Sequence, residues 1–278
     1  AASHPAEMSA QPPQALRSFF VRHWPSFAGL VVVLAMIVTG LWYISESPRN
    51  QLWGSTVTSV PVAQKVVALT FDDGPNPPYT NEIVEYLHEQ HVPATFFLVG
   101  IAVQAHPDVA RLEVEDGNAV GNHTWDHAHL VLLSHNHIVR ELTMAEDEIA
   151  RVTGVHTTLF RPPFGARDFV VIRVAHQLGL QVIMWSVPLP GDWRSPPPHV
   201  IAERVLKYVK NGAIIVLHDG NRGRPGNREN SVQATKLIVT ALRNEGYQFV
   251  TVPDLLKMGY NSTAAPGPTE YATPLNRR

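Results

Sequence analysis

KVVALTFDDGP, residues 65–75, gives the clearest indication of the fold. From Val66 to Phe71 every residue is apolar or β-branched, without alternation of polar positions, which is typical of a strand buried on both faces of a parallel sheet. The run ends in two neighbouring carboxylates, Asp72 and Asp73, followed by a Gly-Pro turn. It therefore predicts a helix-covered sheet with polar chemistry at the carboxyl end of this strand.

Six further short runs of this kind follow along the chain. They are ATFFLVG (94–100), NAVGNH (118–123), TTLFR (157–161), QVIMWSV (181–187), AIIVLH (213–218) and QFVTV (248–252). Between them, apolar residues recur every three to four positions, which predicts helices. The clearest of these helices cover Thr80–His91, Ser134–Val152, Asp168–Leu178, Pro198–Lys210 and Val232–Asn244.

The spacing of these elements favours a single barrel. Seven strands alternate with helices within residues 64–258, about 195 residues. The predicted class is α/β, a distorted (β/α) barrel of about seven parallel strands, which this spacing favours over an open doubly wound sheet. No G-x-G-x-x-G follows the first strand, so we expect no nucleotide cofactor.

Composition excludes several classes of protein. The 278 residues include 22 basic and 24 acidic side chains, and this near-neutral balance predicts no nucleic-acid partner. Cysteine is absent, which excludes disulfides, thiolate zinc sites, iron–sulfur clusters and a cysteine nucleophile. Any metal site is therefore expected among the carboxylates and the 14 histidines.

An uncharged apolar run of 18 residues, FAGLVVVLAMIVTGLWYI (27–44), precedes the predicted barrel. As a helix it spans about 27 Å, close to the hydrocarbon thickness of a bilayer. Arg17 and Arg22 lie before it, so the positive-inside rule places that side in the cytoplasm. A buried core helix and a cleaved signal peptide are the alternatives. The length of the run and the lack of a small-x-small site favour an uncleaved signal-anchor.

These features predict five segments and a location. The segments are a cytoplasmic tail (1–26), a transmembrane signal-anchor (27–44), a polar stalk (45–63), a catalytic domain (64–258) and a flexible tail (259–278). The expected location is the cell membrane, with a single pass, a cytoplasmic N-terminus and an extracytoplasmic catalytic domain.

Titratable side chains follow five of the seven predicted strands, at the end where the active sites of such barrels lie. An isolated H-x-x-x-H is most often a pair of solvated histidines. Here, however, His123 and His127 accompany a carboxylate pair, and on a helical turn both imidazoles would face one ion. With one Asp of Asp72-Asp73 they form a ligand set for a divalent metal, zinc by default, with cobalt, nickel or iron as alternatives. The other Asp would be the general base.

Four further side chains fit supporting roles. His218 ends a strand and suits a general acid, Arg161 could pair with a site carboxylate, and Asp192 could raise the pKa of His218. Trp193 could wall an apolar pocket. A buried ion pair, a loop cap and core packing are the structural alternatives for Arg161, Asp192 and Trp193. Together the residues suit metal-assisted hydrolysis of an amide or ester.

Five motifs in this order resemble those of the polysaccharide deacetylases, carbohydrate esterase family four, which carry the NodB homology domain. They are TFDDGP (70–75), HTWDH (123–127), RPPFG (161–165), DW (192–193) and HD (218–219). The resemblance covers about residues 64–258. It implies a distorted (β/α) barrel, a bound divalent metal and removal of N-acetyl groups from amino sugars in a polymer.

The resemblance also implies a role for each matching residue. The implied base is Asp72, the implied acid is His218, and the implied metal ligands are Asp73, His123 and His127. Arg161 would orient the base or the Asp that tunes the acid, and Asp192 would be that tuning residue. The implied substrate-binding residues are Trp193, Phe164, Pro163, Val216 and Leu217, with Phe164 in the segment expected to supply an oxyanion-hole N–H.

Three positions depart from the family pattern. Leu189 stands where the fourth motif usually has an Asp, Val216 replaces a usual Leu, and Phe164 replaces a common Tyr. The last two are mild, because a backbone donor and an apolar wall survive them. The altered fourth motif affects the expected substrate fit more than the chemistry, because Asp192 and Trp193 remain.

The expected activity is hydrolysis of N-acetyl groups of peptidoglycan N-acetylglucosamine or N-acetylmuramic acid, by an enzyme that the anchor holds beside an insoluble polymer. Deacetylation of chitooligosaccharides or poly-N-acetylglucosamine and cleavage of acetylxylan esters are alternatives. A non-catalytic glycan-binding surface protein is the alternative from another class. Arg222, Arg224 and Arg228 follow His218 and would either contact an acidic glycan or lie in a solvated loop, which is the interpretation we favour here.

Overall fold

The computed structural model describes residues 14–188 and 190–262. Its contacts divide the chain into two compact units, residues 1–45 and residues 46–278. The predicted departure at Leu189 and most of the two predicted tails lie outside the described residues.

The first unit consists of helix α1, Gln14–Glu46, whose last residue lies in the second unit. Its segment Ser26–Glu46 is 21 residues long and is long and apolar enough to cross a membrane, by length and composition alone. None of that apolar window is buried in the structure. The helix includes residues 14–26 of the predicted tail 1–26, because a helix extends at little cost into neighbouring residues once it is nucleated.

The second unit contains one seven-stranded parallel sheet, and all seven predicted strands are present. The strands are β1 (Val66–Asp72), β2 (Thr95–Leu98), β3 (Ala119–Asn122), β4 (Leu159–Phe160), β5 (Gln181–Val182), β6 (Ala213–His218) and β7 (Gln248–Phe249). Their order is β5-β4-β3-β2-β1-β6, and β7 pairs with the first residues of β1. The result is the predicted α/β class, a curled half-barrel of parallel strands.

Helices follow most strands of this sheet. They are α2 (Tyr79–Glu89), α3 (Gly100–Ala105), α4 (Pro107–Glu115), α5 (His135–Thr153), α6 (Phe169–Gln177), α7 (Pro198–Leu206), α8 (Glu229–Asn244) and α9 (Val252–Ser262). The five predicted helices correspond to α2, α5, α6, α7 and α8. Three helices were not predicted: α3, which is only six residues long, α4, and α9, which runs into the segment predicted as a flexible tail.

Side chains of β1 and β6 alternate between two apolar layers. Val67, Leu69 and Phe71 join the layer that packs against α2, α7 and α8, while Val66 and Ala68 face the inside of the curl. Because strand side chains alternate, Asp72 points to the same inner face as Val66 and Ala68. The pairing register places Asp72 directly opposite His218, so both side chains reach the same end of the barrel.

The structure differs from the predicted stalk over residues 45–63. The main chain of Val57 pairs with β5, accepting from Met184 and donating to Val182, and the Val60 N–H donates to the Gly212 carbonyl before β6. This segment fills the gap between the two edge strands, which would otherwise leave unpaired backbone groups. The packed domain therefore begins well before residue 64.

Candidate active site

Three side chains converge at the carboxyl end of the sheet: Asp73, His123 and His127. Asp73 Oδ1 lies 3.0 Å from His127 Nε2 and 3.3 Å from His123 Nε2, and all three residues are buried. The predicted metal ligands are therefore brought together, with ligand atoms within 4.8 Å of one another.

The donor set fits a divalent cation. Asp73 Oδ1 is buried and accepts no hydrogen bond within the described residues. The Nδ1 of His123 lies 2.7 Å from the Arg161 carbonyl oxygen, so Nδ1 carries the proton and Nε2 offers its lone pair to the site. Although burial alone would raise it, the pKa of Asp73 is held well below its usual range by His123 and His127. Burial lowers the pKa of His127, against the effect of Asp73, so both groups favour the protonation state that binds metal.

The prediction that His123 and His127 share a helical turn is wrong. The HTWDH segment is a loop after β3, and Thr124 and His127 take left-handed backbone with φ of 69° and 62°. Glu141 of α5 holds this loop, accepting from the N–H groups of Trp125 and Asp126 at 3.0 and 3.2 Å. Two residues with left-handed backbone and the Glu141 carboxylate thus bring the two imidazoles together, which a helical turn was expected to do.

Asp72, beside the metal ligands, is paired with a fully buried arginine. Arg161 donates to Asp72 Oδ1 at 2.6 Å and to Thr70 Oγ1 at 2.8 Å. Its other nitrogens donate to the carbonyl oxygens of Ile183 and Met184. Of the two predicted partners for Arg161, the structure shows Asp72, and this pairing fixes the carboxylate in the site.

His218 faces the same space from β6 and is supported by Asp192. Its Nδ1 lies 3.0 Å from Asp192 Oδ1, and its backbone N–H donates to Asp192 Oδ2 at 2.6 Å. Ser231 of α8 donates to the same oxygen. Burial would lower the pKa of His218, but the charge and hydrogen bond of Asp192, with the charges of Asp73 and Asp72, raise it to about 9. The imidazole is therefore protonated at neutral pH.

These groups line two adjoining cavities. The outer one has a volume of about 470 Å³ and the inner one about 90 Å³. The inner cavity is lined by Asp72, Asp73, His123, His127, Pro162, Phe164, Gly165, Trp185, Trp193, Val216 and His218. Two aromatic side chains of this lining contact imidazoles edge-on. The ring centres of Phe164 and His127 are 4.7 Å apart, and those of Trp193 and His218 are 5.4 Å apart.

Two of the predicted substrate-binding residues lie elsewhere. Leu217 packs in the layer under the outer helices, because it alternates with Val216 along β6 and points away from the inner face. Pro163 is buried and lines neither cavity, whereas its neighbour Pro162 lines the inner one. The other three, Trp193, Phe164 and Val216, line the inner cavity.

Comparison with known proteins supports the family assignment that the motifs suggested. Residues 59–183 match the family model described as polysaccharide deacetylase. A peptidoglycan-N-acetylglucosamine deacetylase of Bacillus cereus is 34% identical over 205 residues, covering 73% of this chain and 94% of that protein. This chain belongs to the polysaccharide deacetylase family.

Two further comparisons agree. The peptidoglycan-N-acetylmuramic acid deacetylase PdaC of Bacillus subtilis is 37% identical over 192 residues, covering 69% of this chain and 39% of that protein. The crystal structure of the Bc1960 peptidoglycan N-acetylglucosamine deacetylase superposes with a TM-score of 0.68 and 29% identity, covering 72% of this chain and 92% of that one.

The deacetylase site contains a supporting group whose position sequence reading did not predict. The Asp219 carboxylate lies against Gly74, where a Cβ on that glycine would collide with it, and accepts from Thr80 Oγ1 at 2.5 Å. Burial, followed by the charges of Asp73 and Asp72, raises the pKa of Asp219 to about 7, although its bond with Thr80 opposes this. The only signal was that Asp219 follows His218 in the fifth motif.

We expect metal-depleted protein to bind one equivalent of zinc, measured by calorimetry and by metal analysis after dialysis. Asp73→Asn removes the carboxylate on which both imidazoles converge. It should weaken zinc binding by more than about 10-fold, the low end of what loss of even an outer-shell partner costs.

His156→Ala is the matched control for this experiment, because the His156 side chain is 85% exposed and lies outside the site. It should bind zinc as the unaltered protein does. Equal affinity in Asp73→Asn would contradict the assignment of this cluster as a metal site.

Proposed function

We propose that this chain is a metal-dependent hydrolase that removes N-acetyl groups from the amino sugars of a polysaccharide, with peptidoglycan N-acetylglucosamine or N-acetylmuramic acid as substrate. The supporting observation is that one pair of joined cavities collects a cation-binding triad, an arginine-paired carboxylate and an aspartate-paired imidazole. Each group suits a different part of amide hydrolysis.

Asp73, His123 and His127 would hold the metal, and we propose zinc because two imidazoles and one carboxylate are an ordinary catalytic zinc set. Cobalt, nickel and iron accept the same donors. When bound, the ion lowers the pKa of a coordinated water and polarises the acetamido carbonyl.

Asp72 is the proposed general base, and its partner explains why it can serve. The buried guanidinium of Arg161 donates to Asp72 Oδ1 at 2.6 Å and so fixes the orientation of the carboxylate. Only Oδ1 is engaged by Arg161, so Oδ2 is the atom we assign to accept the proton of the attacking water. Asp72 is the last residue of β1 and the proposed metal ligand Asp73 follows it, so the end of this strand positions both the base and a ligand.

His218 is the proposed general acid. Asp192 occupies its Nδ1, so Nε2 is the nitrogen we assign to protonate the departing sugar amine. Because Asp192 also raises the pKa of His218, the imidazole carries that proton at neutral pH. Base and acid thus stand at the ends of the neighbouring strands β1 and β6. Hydrolysis needs both, because one proton is taken from the attacking water and one is given to the departing amine.

The inner cavity suits the acyl group that would be removed. Its volume of about 90 Å³ gives room for a small acyl group such as acetyl. Trp193 and Phe164 provide apolar walls, and both are partly exposed, so a sugar can reach them from the outer cavity.

We further propose that the protein is anchored in the cell membrane by the segment Ser26–Glu46, with a cytoplasmic N-terminus and an extracytoplasmic catalytic domain. Support comes from the length and apolar composition of that segment and from Arg17 and Arg22 before it. An anchor of this kind keeps an enzyme beside an insoluble cell-wall polymer.

Acetate release decides between the candidate functions. Zinc-loaded protein should release acetate from purified peptidoglycan, and His123→Ala should reduce the rate by at least about 100-fold, because it removes a ligand of the ion that activates the water. Chitohexaose and acetylxylan in parallel reactions separate the alternative substrates.

His135→Ala provides the control for this assay, since His135 is an exposed residue at the start of α5. Glycan retention without acetate release from any of the three polymers would favour a non-catalytic glycan-binding protein. Equal release by wild type and His123→Ala would exclude the proposed mechanism.

The pH profile tests the pairing of His218 with Asp192. A protonated acid loses its function as the pH rises through its pKa, so kcat/KM should fall on the alkaline side. Asp192→Asn removes the negative charge that raises this pKa, and the alkaline limb should move to lower pH.

Asp254→Asn, which changes a carboxylate outside the site, should leave the limb in place. An alkaline limb at the same pH in Asp192→Asn and wild type would show that His218 is not the acid that Asp192 tunes.

A further inference from the structure

Two arginines at the mouth of the active site have no part in the proposed chemistry. Arg222 and Arg224 follow β6 and line the outer cavity together with Asp73, His127 and His218. Both are exposed, and neither forms an ion pair with a carboxylate anywhere in the part of the chain that the structure describes. Two unneutralised guanidinium groups thus face the space through which a substrate must enter.

The neighbouring Arg228 shows what a structural arginine looks like in the same loop. It is 5% exposed, and its guanidinium donates to the carbonyl oxygens of Gly220 and Asn227 and to Asn221 Oδ1. Arg228 therefore uses its hydrogen-bonding capacity to hold the loop. The described contact of the Arg222 side chain is a stacking contact, with its guanidinium 5.0 Å from the centre of the Phe164 ring.

The loop that carries the two arginines is fixed to the proposed metal ligand. The Arg222 backbone N–H donates to Asp73 Oδ2 at 2.9 Å, and the Gly223 N–H donates to the Asp73 carbonyl at 3.2 Å. Asn76 binds the other side of the loop, donating to the carbonyl oxygens of Asp219 and Gly226. The backbone of this loop is consequently held at a set position relative to the reacting centre, while the side chains of Arg222 and Arg224 are exposed to solvent.

The charged side chains that line the outer cavity favour a bound anion beside Arg222 and Arg224, and not at the acidic wall of that cavity. Asp126 lines the same cavity, and its backbone is bound by Glu141, so this wall is acidic. A neutral acetamido polymer such as chitin offers no group that requires two guanidinium groups. A carboxylate does, because guanidinium binds carboxylates through charge-assisted, often bidentate, hydrogen bonds.

We propose that Arg222 and Arg224 form an anion subsite that selects an amino-sugar polymer bearing a carboxylate close to the acetamido group that is cleaved. N-acetylmuramic acid has this chemistry and N-acetylglucosamine does not, since the two differ by a lactyl ether. The carboxylate is either the free lactyl group of a peptide-free strand or an acidic residue of an attached stem peptide. This inference rests on the proposed deacetylase function and adds a substrate class to it.

The test compares the same glycan with and without its carboxylates. Peptide-free peptidoglycan strands and carboxyl-reduced strands of the same length are offered to the zinc-loaded full chain, and the ratio of the two kcat/KM values is measured. Wild type should prefer the carboxylate form by about tenfold, and Arg222→Gln/Arg224→Gln should bring the ratio close to one, as expected for loss of one or two charge-assisted hydrogen bonds.

Arg173→Gln is the matched control, because it removes one exposed arginine from α6 and should leave the ratio unchanged. Strands with intact stem peptides form a second pair with their carboxyl-reduced counterparts. If the double arginine variant changes the ratio of kcat/KM values only for the strands with stem peptides, the stem peptide is the source of the carboxylate.

A ratio near one in wild type for both pairs would overturn the proposal, and so would a ratio that the double variant leaves unchanged. If wild type releases acetate from no glycan, the proposed function fails separately. The same four strands are then titrated into the protein by calorimetry, and the ratio of dissociation constants decides the subsite by the same criteria.

Discussion

The ion pair between Arg161 and Asp72 is the interaction on which the site depends. A guanidinium with no exposed surface lies inside the curl of the sheet, 4.0 Å from the Phe97 ring centre, and reaches β1 and the segment after β5 together. Removing one partner of a buried pair costs about 3–5 kcal/mol, because the other charge is left uncompensated. The pair therefore constrains both the fold and the chemistry: it joins distant strands and holds the carboxylate that we assign as the base.

The remaining chemistry is arranged around this pair by register and by backbone geometry. Parallel pairing sets Asp72 opposite His218, and Asp73 leaves the strand with left-handed backbone, φ of 80°. Left-handed backbone is uncommon outside glycine, and five of the seven such residues among those described surround the site: Asp73, Thr124, His127, Phe164 and Arg222. Because of this backbone geometry, neighbouring residues such as Asp72 and Asp73 can place their side chains in the same site and take different roles there.

The sequence allowed the strands, the fold class and the motif residues to be predicted, because buried strands and motifs are local patterns. Long-range packing was not predictable in this way. Nothing local shows that Val57 pairs with β5 or that HTWDH is a loop. Alternation along β6 shows that Val216 and Leu217 face opposite sides of the sheet, but not which of them faces the site. Glu113 is the extreme case: a fully buried carboxylate, with a pKa raised by burial, on helix α4, which was not predicted from the sequence.

The division of labour between the adjacent carboxylates is tested most directly by Asp72→Asn, with zinc content, thermal unfolding and acetate release measured on one preparation. The asparagine keeps an oxygen for Arg161 but is a much weaker base than the carboxylate. We expect a folded protein that keeps its full equivalent of zinc and releases acetate at least about 100-fold more slowly, the range expected for loss of a general base. Loss of the zinc with retention of the fold, or acetate release at the wild-type rate, would contradict it.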